Sequence, residues 1–394
     1  MTEKYIINQE VKALADAYKA YLNRLCGDHP PKKPKISKVH ILIFDFFLNL
    51  YIIFQQVFSK NKNRKYVFVN SRYENIILSL NKNDILILAG FKDIPFCLKN
   101  GIKFIWVGFI VKAFNIYYYY DKREPYIKAL NIVGNMSKNQ FNSSTIFLWE
   151  DNLKTGLSLS YLFKNDKNVN VITIQHGMYS NNGIIDPPGH NSNYNFLLKD
   201  GQQRWIKGCD NKTSCVMGLA YDINSNRKVF GDMIYLIGPG ISGKGDTEYL
   251  YKLLLFSKIV DFMKGSKYNI SYRPHHTEDI SFCKHIFTNI DTTPKKDLFS
   301  KELSVYIGFD STLLYEATFF NNLAVSIIPK EGAIERDFEL DIEIHEQDIE
   351  FILKKIKDHI DSNSINNNTQ ELDVYMRFTR CLEKFEHYSK HSGN

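Results

Sequence analysis

At 394 residues the chain exceeds the size at which one hydrophobic core stops growing, so two domains are expected. An apolar content of 44% with 24% charged residues excludes a disordered polymer, and an aromatic fraction of 14% supplies core material and stacking platforms. The formal net charge of +7 suits nucleotides, carboxylated sugars or an anionic membrane face and does not select among them.

In chain order, Met1 to Glu10 is polar and mixed in charge, unlike a secretory signal. Val11, Leu14, Ala15, Tyr18, Tyr21 and Leu22 predict a helix within residues 1–27, ended by Asp28-His29-Pro30-Pro31. Val39 to Phe58 is strongly apolar between lysine runs at 32–38 and 60–65. Asp45, Asn49, Gln55 and Gln56 are costly in hydrocarbon, so a buried strand over Val39–Phe44 followed by a buried helix is expected in place of a membrane span.

Short apolar runs then follow at Tyr66–Val69, Asp84–Ala89, Lys103–Val107, Ser144–Trp149 and Val169–Ile174. Runs of this kind, spaced by helix-length pieces, predict a mostly parallel sheet covered on both faces. The polar stretch Ser180–Arg227 is expected to hold loops and a crossover. Alternation resumes with Met233–Ile237, Asn269–Tyr272, Ser304–Ile307 and Leu323–Ile328, with helices over Asp246–Met263 and Leu313–Phe320. The tail Glu346–His391 is helical apart from an Asn-rich break. The expected domains are therefore a Rossmann-like unit over 1–227, a second over 228–345 and a helical tail over 346–394 that folds back across the cleft.

Cysteines at 26, 97, 209, 215, 283 and 381 form no CxxC, which suits a reducing compartment and suggests neither a disulfide framework nor a zinc site. The basic runs lack interleaved aromatics, so no nucleic acid is expected as partner.

Chemistry is expected where strands end, because ligands of open α/β sheets bind outside the carboxyl ends. Arg273, His275 and His276 follow one strand and can donate to a phosphate. Ser311 and Thr312 follow another and open a helix whose free N–H groups suit the same anion. Gly238 and Gly240 would let the backbone approach a phosphate or sugar. In the first half, Glu150 and Asp151 follow Trp149, and His176 sits between Gln175 and Gly177; each is a candidate base. Asp232, flanked by apolar residues, is either a cleft carboxylate or a cap at the start of a strand.

The ordered set Trp149-Glu150-Asp151, Gln175-His176-Gly177, Arg273-Pro274-His275-His276 and Asp310-Ser311-Thr312-Leu313-Leu314-Tyr315-Glu316-Ala317 resembles that of the retaining β-Kdo transferases of bacterial O-antigen and capsule biosynthesis. In outline it is similar to bacterial sialyltransferases of the GT-B fold. The resemblance implies a GT-B architecture with two Rossmann-like domains facing a cleft, and CMP-Kdo as donor. It further implies a lipid-linked glycan acceptor and a cytoplasmic location, peripheral at the inner membrane. Retention would run through a covalent adduct on Asp232, with Glu150, Asp151 or His176 as base and with His275, His276, Ser311 and Thr312 holding CMP. No cofactor or metal is implied, since CMP-Kdo carries one phosphate that a helix N-terminus and histidines can stabilise. The family's His-Pro order is here Pro274-His275-His276. The alternatives are an inverting sialyltransferase-like enzyme, a CDP-glycerol-dependent transferase and a non-catalytic glycan-binding module.

Overall fold

The computed structural model describes residues 35–58, 64–136, 144–149, 154–163, 166, 168–177, 192–206, 208–221, 230–240, 246–299, 302–330, 340–362 and 373–391, with backbone alone for 52–58, 154, 246, 295 and 296. The helix expected within residues 1–27 lies outside the described residues.

Seven parallel strands form the first sheet: β1 (Tyr66–Val69), β2 (Ile85–Ala89), β3 (Phe104–Trp106), β4 (Thr145–Leu148), β5 (Asn170–Ile174), β6 (Tyr194–Leu197) and β7 (Ser214–Val216), in the order β3-β2-β1-β4-β5-β6-β7. β1 and β2 are buried at every position, as continuous apolar runs must be when helices cover both faces. On one face lie α4 (Gly108–Tyr120), α5 (Glu124–Met136) and α6 (Lys154–Phe163), with α1 (Lys38–Phe58) outside them. On the other lie α2 (Glu74–Ser79) and α3 (Ile94–Asn100).

The second sheet has five parallel strands, β8 (Phe230–Ile237), β9 (Asn269–Arg273), β10 (Leu303–Gly308), β11 (Leu323–Ile328) and β12 (Ile342–His345), ordered β12-β11-β10-β8-β9. Its helices are α7 (Asp246–Met263), α8 (Ile280–Ile286), α9 (Lys295–Leu298), α10 (Thr312–Phe319) and α11 (Ile352–Ser362). The last helix, α12 (Val374–His391), returns to the first sheet: Val374, Phe378, Cys381 and Phe385 join the core under α2 and α3. There Arg377 donates to the carbonyls of Met217, Leu219 and Tyr221 at 3.0, 2.7 and 2.9 Å. Two Rossmann-like units with a returning C-terminal helix make the GT-B plan.

Two expectations are corrected. Residues 39–58 form one helix, not a strand and a helix: Ser37 starts it by accepting the His40 N–H at 3.2 Å, and a short apolar run cannot be assigned by periodicity alone. The stretch Ser180–Arg227 is not only loop. It holds β6 and β7, whose short polar-containing runs hide buried partners such as the Tyr194 hydroxyl donating to the Ser214 carbonyl at 3.0 Å.

Candidate functional site at the ends of both sheets

In the second sheet β8 lies between β9 and β10, so the chain leaves it first to one side and then to the other. The carboxyl ends of these strands bound a cavity of about 670 Å³, lined among others by Gly238, Arg273, His275, His276, Asp310, Ser311 and Thr312. His176 lines it from the first sheet. A strand-order reversal opens a crevice because the two connections diverge, and ligands settle there.

Past β9 the chain turns tightly. Glu278 Oε2 accepts the His275 N–H at 2.7 Å, and the Glu278 N–H returns to the His275 carbonyl at 2.9 Å. The same carboxylate accepts the Gly240 N–H at 3.2 Å and the Tyr272 hydroxyl at 3.0 Å. Burial pushes the Glu278 carboxyl up, and these hydrogen bonds oppose that. Sequence reasoning missed Glu278. Its signal was a carboxylate three residues after a turn residue, the spacing of a reciprocal cap.

Gly238 and Gly240 are required by this turn, and Gly238 also lines the cavity. A Cβ on Gly238 would collide with Glu278 Oε2. One on Gly240, whose φ is +74°, would lie 2.9 Å from His275 Nδ1.

The Thr277 N–H, which can only donate, points at His275 Nδ1 at 3.3 Å, placing the neutral ring's proton on Nε2. Burial, and then the neighbouring His276, hold His275 below the usual histidine range. The two rings are 4.0 Å apart. Arg273 is not the free phosphate donor expected: its Nη1 donates to the Asp291 carboxylate and to the Thr293 carbonyl at 2.8 Å, so the pair walls the cavity with little net charge.

Ser311 caps α10, its Oγ accepting the Leu313 N–H at 3.2 Å, which leaves the positive end of the helix at the cavity. Thr312 faces the first domain, and a Cβ built on Gly177 would come 3.5 Å from Thr312 Oγ1. Glu316, one turn along, is buried; burial and then this carboxylate push the Tyr221 hydroxyl up.

In the first domain, Gln175 fixes the turn after β5. Its Oε1 accepts the Leu198 N–H at 2.9 Å and its Nε2 donates to the Gly177 carbonyl at 2.7 Å. His176 is thereby projected into the cavity. Its Nδ1–H donates to the Trp149 carbonyl at 2.8 Å, and its ring stands edge-on to Trp149 with centroids 4.8 Å apart. A neutral ring held this way has its lone pair on Nε2, the form a general base needs. Glu150 and Asp151 lie outside the described residues.

Asp232 is not brought to the cavity. It is the third residue of β8, and five residues of strand, roughly 16 Å, separate it from Ile237 at the cavity. Its side chain is 55% exposed, 3.8 Å from Lys267 Nζ. The amino ends of parallel strands point away from the crevice, so the strand-start reading of Asp232 is the one the geometry supports. Among the described residues no group of three or more His, Cys, Asp or Glu side chains could hold a metal ion.

The sequence matches no family model and no curated protein sequence. Among solved structures, the chain is similar to a glycosyltransferase from Rickettsia africae ESF-5, with 10% identity over 84% of this chain and 99% of that one and a TM-score of 0.46. It is similar to the wall teichoic acid polymerase TagF, with 14% identity over 89% and 99% and a TM-score of 0.44. It is also similar to the pneumococcal O-GlcNAc transferase GtfA bound to UDP and GlcNAc, with 12% identity and a TM-score of 0.40; that match covers 66% of this chain and 59% of GtfA.

Proposed function

We propose that the chain is a glycosyltransferase that moves Kdo from CMP-Kdo to a lipid-linked glycan acceptor. The observation that carries this reading is the single cavity in which His275, His276 and the Ser311-capped start of α10 meet His176 of the other domain. The former group suits a departing phosphate monoester: two imidazole donors and a helix N-terminus stabilise charge that develops as the bond to CMP breaks. The latter suits an acceptor hydroxyl, whose proton passes to His176 Nε2 as its oxygen attacks the anomeric carbon.

The stereochemical route depends on a carboxylate. A retaining double displacement needs one within the cavity to bond the anomeric carbon while CMP leaves, and then to be displaced by the acceptor. Asp232 does not meet that requirement. Of the four carboxylates that line the cavity, Glu278 is held by three donors, Asp291 by Arg273, and Glu316 is buried beside the Tyr221 hydroxyl, whereas Asp310 receives no hydrogen bond to its carboxylate from the described residues. A second reading, inverting transfer by a single displacement, is favoured by the position of Asp232 and needs only the His176 base.

Intact-protein mass after mixing with CMP-Kdo tests the proposal. A Kdo adduct lost in Asp310→Asn but kept in Asp232→Ala supports the retaining route through Asp310. Transfer of Kdo to a glycan acceptor with release of CMP and no adduct supports the inverting one. Absence of both CMP binding and CMP release would overturn this reading.

A further inference from the structure

Helix α1 is apolar on two opposite sides. Its inner side belongs to the first core: Phe44 and Leu48 are 6% and 2% exposed, and the Tyr51 ring lies 5.3 Å from that of Phe109. Its outer side carries Val39, Leu42, Ile43, Phe46, Phe47 and Leu50, between 41% and 71% exposed. Those positions run i, i+3, i+4, i+7, i+8, i+11, the spacing of one continuous helical stripe. Six large apolar side chains in one water-facing stripe are far more than the scattered exposed residues a soluble surface ordinarily carries.

The sequence flanking the stripe is predominantly basic. Asp45, the helix's only acidic residue, is paired with Lys128 at 2.7 Å and so presents no net negative charge. Before the stripe come Lys32, Lys33, Lys35 and Lys38, and after the helix Lys60, Lys62 and Lys65. Lys35 and Lys38 are exposed, whereas Lys65 stands 3.8 Å from the Glu386 carboxylate.

We propose that α1 lies in the plane of an anionic lipid surface, with the outer stripe among the acyl chains and the flanking lysines among the headgroup phosphates. This is the arrangement that an amphipathic, lysine-flanked helix reaches at such an interface, where apolar burial and headgroup attraction add. The helix does not span the bilayer: its inner side is committed to the protein core, and no helix among the described residues is long and apolar enough to cross a membrane. A second copy of the chain is the poorer occupant. Because both ends of the helix are basic, stacking two such helices in either direction sets lysines against lysines.

The test is flotation of the full chain with neutral phosphatidylcholine vesicles and with vesicles containing anionic phosphatidylglycerol, at low and raised salt. The wild type is expected to float with the anionic vesicles, more weakly with neutral ones and less at raised salt. Leu42→Glu with Phe46→Glu changes two exposed positions, so the melting temperature is expected to hold while vesicle binding falls at least about tenfold. Lys35→Glu with Lys38→Glu is expected to flatten the salt dependence. Wild type that ignores anionic vesicles, or a Leu42→Glu/Phe46→Glu variant that floats like wild type, overturns the proposal. So does a wild-type dimer in sedimentation velocity that the same variant converts to monomer, since a second copy then covers the stripe. No sugar donor is present in these mixtures, so the outcome is independent of the transferase reading.

Discussion

Glu278 and His275 hold each other at both ends of one turn, the carboxylate accepting the His275 N–H at 2.7 Å while the His275 carbonyl accepts the Glu278 N–H at 2.9 Å. With Gly240 and Tyr272 on the same carboxylate, this one side chain sets the height of the histidine ring over the cavity. Glu278→Gln replaces an acceptor oxygen by an NH₂ group facing N–H donors. A loss of about 1–3 kcal/mol is expected, with weaker CMP binding. Thermal melting and calorimetric titration with CMP read the two effects. A lower melting temperature with unchanged CMP affinity would limit Glu278 to a structural role.

The depressed His275 titration makes stability depend on pH. Burial and His276 hold its folded pKa below the unfolded value of 6.5, so the unfolded chain takes up the proton first. The stabilisation is present above that value and is lost as pH falls through the lower folded pKa. Between about pH 7.5 and 5, melting temperature is expected to fall less in His275→Gln than in wild type. Parallel curves would show that the histidine ring is fully solvated.

Asp232→Ala is expected to change little. The side chain is 55% exposed and its contact with Lys267 spans 3.8 Å, an arrangement worth about 0–1 kcal/mol. Donor turnover and melting should match wild type, whereas loss of turnover with an unchanged fold would return the nucleophile role to Asp232 and require β8 to present its other end to the donor.

Arg377→Met is expected to be severe. Three carbonyls at 217–221 depend on this buried guanidinium, and a thioether replaces none of the hydrogen bonds, so about 2–5 kcal/mol should be lost. Limited proteolysis should then cut near α12 before the strands of either sheet. A variant as protease-resistant as wild type would mean that apolar packing of Val374, Phe378 and Phe385 alone holds the helix.

The strands that bound the cavity were legible because buried parallel strands are written as unbroken apolar runs, and the polar residues closing those runs, His176, His275, His276, Ser311 and Thr312, are the ones that line the cavity. β6, β7 and β12 were hidden, being three or four residues long with polar residues such as Asn195 and Glu343 among them. Residues 39–44 are apolar at every position but His40, which masks the helical period of α1; its Ser37 cap is the readable signal.

What the sequence determined by itself was which segments are buried and which polar residues terminate them, since both follow from local pattern and from the need to cover a sheet on two faces. What only the tertiary structure decided was which end of a strand each side chain occupies and whom it meets. Asp232 and Gly238 lie on one short stretch of chain, yet the strand between them carries one to the cavity and leaves the other at the far surface. Arg273 reads as a free cation until Asp291, eighteen residues on, folds against it, and Glu278 reads as an ordinary acid until His275, Gly240 and Tyr272 converge on it. Charge and hydrogen-bond capacity are properties of a residue, but whether they remain available to a ligand depends on partners that only folding brings within reach.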